Sequence, residues 1–252
     1  MKALFLTSNL GCYINTNEGK KVVNCDNTNY FIDRLRVYAK RIPTLVFIAS
    51  DPDNYVKTDE YVNVLVKSLN LDSFCIQKVY VIDHRFDGNL ADVINNAQVV
   101  FLAGGHILTQ NKYFKEIGLK SILEKYEGVV IGKSAGSINC AEVAYIQPET
   151  EEEFRDPNYM KLHSGLGLTK IKVMPHMNRA TTDSIDGVTT LDMCLADSNS
   201  IPQIGIYDGG FIEVSGGVSI AYGKTLSIKN GKSEVLCEVK ETAIIWDNLL
   251  KI

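Results

Sequence analysis

Over the first two-thirds of the chain, short apolar runs alternate with longer segments of helical periodicity. Ala3–Thr7, Thr44–Ala49, Val79–Ile82, Val99–Ala103 and Gly128–Ile131 are compact runs bounded by polar or turn-forming residues, and they predict strands. Between them, Tyr30–Arg41, Thr58–Leu69, Asn89–Ala97 and Tyr113–Lys125 repeat their apolar positions every three to four residues and predict helices, with Thr58 as a possible N-cap. Strand and helix in alternation mark a mostly parallel sheet flanked by helices. The unbroken apolar character of VVFLA and GVVI fits strands covered on both faces.

After about residue 145 the pattern changes. Gln147–Asp156 is acidic and contains a proline, as an exposed loop would. The later segments IPQIGIYDGGFIEV and SIAYGKTLSIKNGKSEVLCEV carry glycines and strict alternation. Asn230-Gly231 between two alternating runs is a hairpin signal. These segments predict an antiparallel C-terminal extension of the sheet. No repeat, low-complexity tract or sharp composition shift divides residues 1–252, so a single domain is expected.

Composition narrows the function classes. The chain has 252 residues, 45% hydrophobic and 22% charged, with a net charge of −4 and no basic stripe. That balance suits a globular protein and argues against nucleic acid or an anionic membrane as a partner. The apolar run at the N-terminus is too short for a signal peptide, and no stretch is long enough to span a bilayer, so a cytoplasmic protein is expected. The six cysteines show neither C-x-x-C nor zinc-ligand spacing and are read as reduced thiols, with no metal site.

The stretch GVVIGKSAGSIN, Gly128 to Asn139, carries two chemical readings. GKS ends a phosphate-binding P-loop, but that motif needs a glycine where Glu127 stands, and Val129-Val130-Ile131 reads as a strand rather than a loop of free amides. The other reading is a nucleophile elbow, a sharp strand-to-helix turn with Ser134 at its apex. Gly132 and Gly136 supply the small residues needed where strand and helix backbones nearly touch. Ser134 would then sit at the carboxyl end of a strand, where open α/β sheets bind ligands. The amide of Ala135 at the helix start would face a developing oxyanion. A plain tight turn with Ser134 as an N-cap has the same spacing.

A serine needs a base, and the base an orienting acid. Of the four histidines, His176 in KVMPHMNR follows an apolar run and is the leading base, with His163 as the backup. His106 follows the Gly104-Gly105 turn and is placed to contact substrate, while His84 reads as an ordinary exposed residue. Asp208 in GIYDGG is the leading acid, with Asp183, Asp186 and Glu149 as alternatives. Gly104 and Gly105 let backbone approach the substrate, and Gly105 offers a second oxyanion N–H.

Taken in order, VVFLAGG, GVVIGKSAGSIN, KVMPHM and GIYDGG resemble the peptidase E group of serine peptidases, which includes aspartyl dipeptidases and, more widely, cyanophycinases. The matches span about residues 98 to 213. The resemblance implies a flavodoxin-like fold similar to class I glutamine amidotransferases, with serine in place of their cysteine. It implies Ser134 as nucleophile, His176 as base, Asp208 where the family often has Glu, and Ala135 with the Gly104-Gly105 turn as the oxyanion hole. Hydrolysis would pass through an acyl-enzyme without metal or cofactor. The substrate would be a small peptide, with an N-terminal acidic residue as the family's preference, and the protein would be a monomer or homodimer. This chain departs from the pattern at His106, where the family often has Asn, and at Lys133, where it often has an aromatic or small residue. For Lys133, pairing with a substrate carboxylate is one reading and a solvated role is the expected one. A non-catalytic peptide- or amino-acid-binding member and a nucleotide-binding ATPase are the competing readings.

Overall fold

In a computed structural model the structure describes residues 1–246 and Leu249. Its centre is an eight-stranded sheet. Five parallel strands run in the order Ala3–Thr7, Val129–Lys133, Val99–Leu102, Thr44–Ile48 and Lys78–Ile82. On the far side of Ala3–Thr7, Phe211–Ser215, Val218–Tyr222 and Thr242–Ile244 add on antiparallel. Alternate residues of each strand feed opposite faces. Leu4, Leu6, Val46, Ile48, Val100, Leu102 and Val130 enter one apolar cluster. Ala3, Phe5, Leu45, Phe47, Val99, Phe101 and Ile131 enter the other. Both faces are therefore dry, which is why the sequence shows runs and not alternation here.

A second sheet has four strands in the order Val173–Met174, Gln203–Ile206, Thr225–Lys229 and Lys232–Cys237. The first pair is parallel and the others antiparallel. The antiparallel C-terminal part is thus shared between two sheets. Phe211–Ser215 and Val218–Tyr222 extend the central sheet, whereas the hairpin turning at Asn230-Gly231 belongs to the second. Both turn residues have positive φ, 53° and 71°, as a two-residue hairpin turn demands.

Helix boundaries differ locally from the periodicity. The helix expected from Thr58 spans Tyr55–Leu71, because Asn54, four residues before Thr58, accepts from the Lys57 amide and caps it. The helix expected over Tyr113–Lys125 is two, Ile107–Glu116 and Leu119–Leu123, separated by Gly118 at φ 63°. A small hairpin, Tyr13–Thr16 with Gly19–Val22, follows the first strand and was not legible from apolar pattern, since its residues are mostly exposed.

The helix Phe31–Tyr38 is pinned to the sheet by a buried carboxylate. Glu213, 2% exposed, accepts from Arg34 Nε at 2.7 Å and Nη2 at 2.8 Å, and from the Tyr38 hydroxyl. Burial raises the Glu213 pKa, but the bonds from Arg34 and Tyr38 outweigh it and hold the carboxyl below its ordinary 4.5. Its stabilising effect is therefore full above about pH 4.5 and is lost as pH falls through the lowered folded-state value. Glu213→Ala strands both donors and is expected to cost about 2–3 kcal/mol, at the low end for a buried pair because Arg34 retains solvent access. Urea unfolding at pH 7 and again near pH 3 measures it, and the gap between wild type and variant should narrow in acid.

Candidate active site

The strand order brings three strand ends together. Thr7 is in register with Lys133, and Gly132 with Leu102, so Ser8, Ser134 and the Gly104-Gly105 turn emerge side by side at the carboxyl edge. The second sheet delivers two more groups to the same place. Met174 and Gly205 are paired on parallel neighbouring strands, and His176 and Asp208 each lie two residues beyond their strand's end.

Ser134 has φ 52° and ψ −114°, a strained conformation for a residue with a side chain, between the strand Val129–Lys133 and the helix Ala135–Asn139. The flanking glycines make that turn possible. A Cβ on Gly136 would lie 2.3 Å from the Leu102 carbonyl oxygen, and one on Gly132 would lie 2.8 Å from the Ser137 amide. Ser137, fully buried, ties the turn to the first strand: its hydroxyl donates toward the Thr7 and Gly132 carbonyls and accepts the Thr7 N–H at 2.8 Å. Val129-Val130-Ile131 is hydrogen-bonded in a strand with neighbours on both sides, so its amides are not free to cradle phosphate.

Around Ser134 the polar groups form a continuous chain. Ser134 Oγ lies 2.9 Å from His176 Nε2, and His176 Nδ1 lies 2.8 Å from Asp208 Oδ1. These distances suit proton transfer from the serine and orientation of the imidazole by the carboxylate. His176 itself has φ 61°, a second strained backbone at the site. Burial raises the Asp208 pKa, but bonds from His176, Ser8 and Asn178 outweigh it and keep the carboxyl below its ordinary value. Ala135 is the first residue of its helix, where the N–H has no intrahelical acceptor. Gly105 and Ser134 line one cleft, together with His176, Arg179 and Glu149.

Ser8 was missed by sequence reasoning. Its hydroxyl donates to Asp208 Oδ1 at 2.6 Å and accepts the His176 backbone N–H at 2.8 Å, with His176 Nδ1 at 3.3 Å. It clamps base and carboxylate to the central sheet. The signal that could have found it is position: Ser8 directly follows a wholly buried strand at its carboxyl end.

The other sequence candidates have partners of their own, although Glu149 and Asp183 line the same cleft. Glu149 accepts from the Ile107 amide at 3.1 Å, capping a helix, and lies 3.4 Å from His106 Nε2. His106 in turn caps the same helix, accepting from Thr109 N, and lines a neighbouring pocket rather than the Ser134 cleft. Asp183 faces Arg179 at 3.6 Å and Asp186 pairs with Arg155. His163 bonds the Met160 carbonyl. His84 bridges Asp53 and Glu116, a more engaged role than its sequence context suggested. Lys133 is half-buried, not solvated, its ammonium 5.6 Å from the Tyr61 ring centroid. All six cysteines are free. Among the described residues no helix is long and apolar enough to cross a membrane.

Solved structures of two peptidases share this fold. A solved peptidase from an acI-B1 Actinobacterium superposes with a TM-score of 0.65 at 13% identity, covering 97% of each chain. A structure assigned as a peptidase E protein, from Listeria monocytogenes EGD-e, gives a TM-score of 0.51 at 15% identity over 93% of this chain and 98% of that one. At such identities the likeness is one of fold. No curated protein matches the sequence. The description of Peptidase family S51, however, matches residues 22–220, most of the chain. The motifs that resembled peptidase E therefore lie in a chain that belongs to Peptidase family S51, the serine peptidases of the peptidase E type.

Proposed function

We propose that Ser134, His176 and Asp208 are the nucleophile, general base and orienting acid of a peptidase acting on short peptides. The hydrogen-bonded chain from Ser134 Oγ through His176 to Asp208 carries the reading. His176 Nε2 takes the hydroxyl proton as Oγ attacks the scissile carbonyl. The Ala135 and Gly105 amides stabilise the tetrahedral oxyanion. His176 then gives the proton to the leaving amine, and water, deprotonated by the same ring, releases the acid from the acyl-enzyme. The Asp208 carboxylate holds Nδ1–H in place and balances the imidazolium.

A preference for an N-terminal acidic residue finds support in Arg179. It lines the same cleft as Ser134, is 56% exposed, and among the described residues its one ion-pair partner, Asp183, stands 3.6 Å away. A substrate carboxylate can displace so loose a pairing. A fluorophosphonate probe tests the assignment of the nucleophile. Wild-type protein should carry one adduct, located on Ser134 by peptide mass, and His176→Ala should reduce labelling at least a hundredfold. An adduct at another serine, or labelling indifferent to His176, overturns it.

A further inference from the structure

A second pocket opens beside Ser134, apart from the cleft that holds His176 and Arg179. Its walls include Asn9, Tyr61, Phe47 and Phe101, and Gly104 and Lys133 border it next to the nucleophile. We propose that this pocket binds a carboxylate of the peptide substrate through the Lys133 ammonium. The proposal rests on the peptidase reading of Ser134.

Position comes first. Lys133 directly precedes Ser134, and its side chain runs past the Gly104 turn. A Cβ on Gly104 would meet Ser134 Cβ at 3.2 Å and Lys133 Cδ at 3.8 Å. A chain bound at Ser134 therefore reaches this pocket across a glycine with no side chain in the way. Any other residue at 104 would press on Ser134 Cβ and, at 3.3 Å, on the Lys133 carbonyl oxygen.

Charge is the second observation. Among the described residues the Lys133 ammonium has no hydrogen-bond or ion-pair partner, and it lies 5.6 Å from the Tyr61 ring centroid. Burial pulls its pKa below the ordinary lysine value, and Cys12 and the Asp208 carboxylate nearby only partly offset this. Lys20 adds a further positive charge nearby. A cation held among aromatic walls without a counter-ion is costly. An anion entering the pocket recovers that cost, so the site favours a ligand that carries its own negative charge.

Size then selects the group. The pocket holds about 40 Å³ of free space. At roughly 10–15 Å³ per water this is room for about three waters, which matches a carboxylate and not a whole side chain. That carboxylate has two sources in a short peptide: the C-terminal α-carboxylate of the leaving residue, or the side chain of an acidic residue on the acyl side.

The test compares aspartyl-leucine, its C-terminal amide and asparaginyl-leucine as substrates of wild type and Lys133→Met, with Lys133→Gln as a second variant should Met prevent folding. With an α-carboxylate in the pocket, wild type should prefer the free acid over the amide at least tenfold in kcat/KM, and the ratio should fall below about twofold without the lysine. With a side-chain carboxylate, the aspartyl-to-asparaginyl ratio collapses instead. Either collapse supports the site. Both ratios surviving in the variant overturns it and leaves the peptidase reading standing. Calorimetric binding of the same peptides to Ser134→Ala, with and without Lys133→Met, separates the two ideas. Lysine-dependent binding with no hydrolysis by wild type overturns the peptidase reading and keeps the pocket. Neither binding nor hydrolysis overturns both.

Discussion

Replacing Ser134 with alanine is expected to abolish peptide hydrolysis, a loss on the order of 10⁴–10⁶-fold in kcat, while the protein keeps its melting temperature within a few degrees. The two halves of that expectation have separate causes. In the proposed mechanism the hydroxyl is the attacking atom, and among the described residues no other side chain hydrogen-bonds His176 Nε2. The fold, by contrast, takes little from it. The turn is secured by Gly132, Gly136 and the buried Ser137, whose hydroxyl bonds the Thr7 and Gly132 carbonyls. The strained φ of 52° is tolerated by serine, and alanine adds no atom to it. Steady-state turnover of a short peptide, with a thermal melt alongside, measures both. Turnover within tenfold of wild type rejects Ser134 as nucleophile.

The second large effect is expected at Asp208. Asp208→Asn should lower kcat roughly 10³–10⁴-fold. An amide brings no charge to balance the imidazolium that forms when Ser134 is deprotonated, and half of its hydrogen-bonding capacity is a donor. The native carboxylate is well prepared for the role. Ser8 and His176 both meet Oδ1, at 2.6 and 2.8 Å, and the group stays ionised below its ordinary pKa. Glu149→Gln should cost far less, because that carboxylate is bonded to the Ile107 amide and sits beside His106. Comparing the two variants by kcat on one substrate decides the acid. Equal losses, or a larger loss at Glu149, would remove Asp208 from the mechanism.

Much of this arrangement was legible in linear order. Strands buried on both faces need continuous apolar runs, so Ala3–Thr7, Thr44–Ile48, Val99–Leu102 and Val129–Lys133 announced themselves. The sharp strand-to-helix turn at Ser134 was legible because its steric demand is local: strand and helix meet within five residues, and only glycine fits at 132 and 136. His176 and Asp208 could be placed at strand ends by the apolar runs before them. The hairpin at Asn230-Gly231 was readable because positive φ at both turn residues is a local requirement.

Which sheet a strand joins, and which groups meet, required the tertiary structure. Alternation reports that a strand has two unlike faces, but not its partner, so the hairpin of Thr225–Lys229 and Lys232–Cys237 could not be assigned to the second sheet. Asp208, Asp183, Asp186 and Glu149 are chemically alike in sequence. Only the parallel pairing of Val173–Met174 with Gln203–Ile206 sets Asp208 against His176, and only a helix start claims Glu149. Ser8 was silent because a serine after a strand has many uses, and its partners lie 168 and 200 residues away. Lys133 read as solvated because lysine usually is. Local sterics, written in neighbouring residues, determined the strands and the sharp turn at Ser134. Long-range pairing decided which carboxylate meets His176, the Ser8 clamp and the half-buried cation, because hydrogen bonds and burial depend on distances in space that spacing along the chain does not encode.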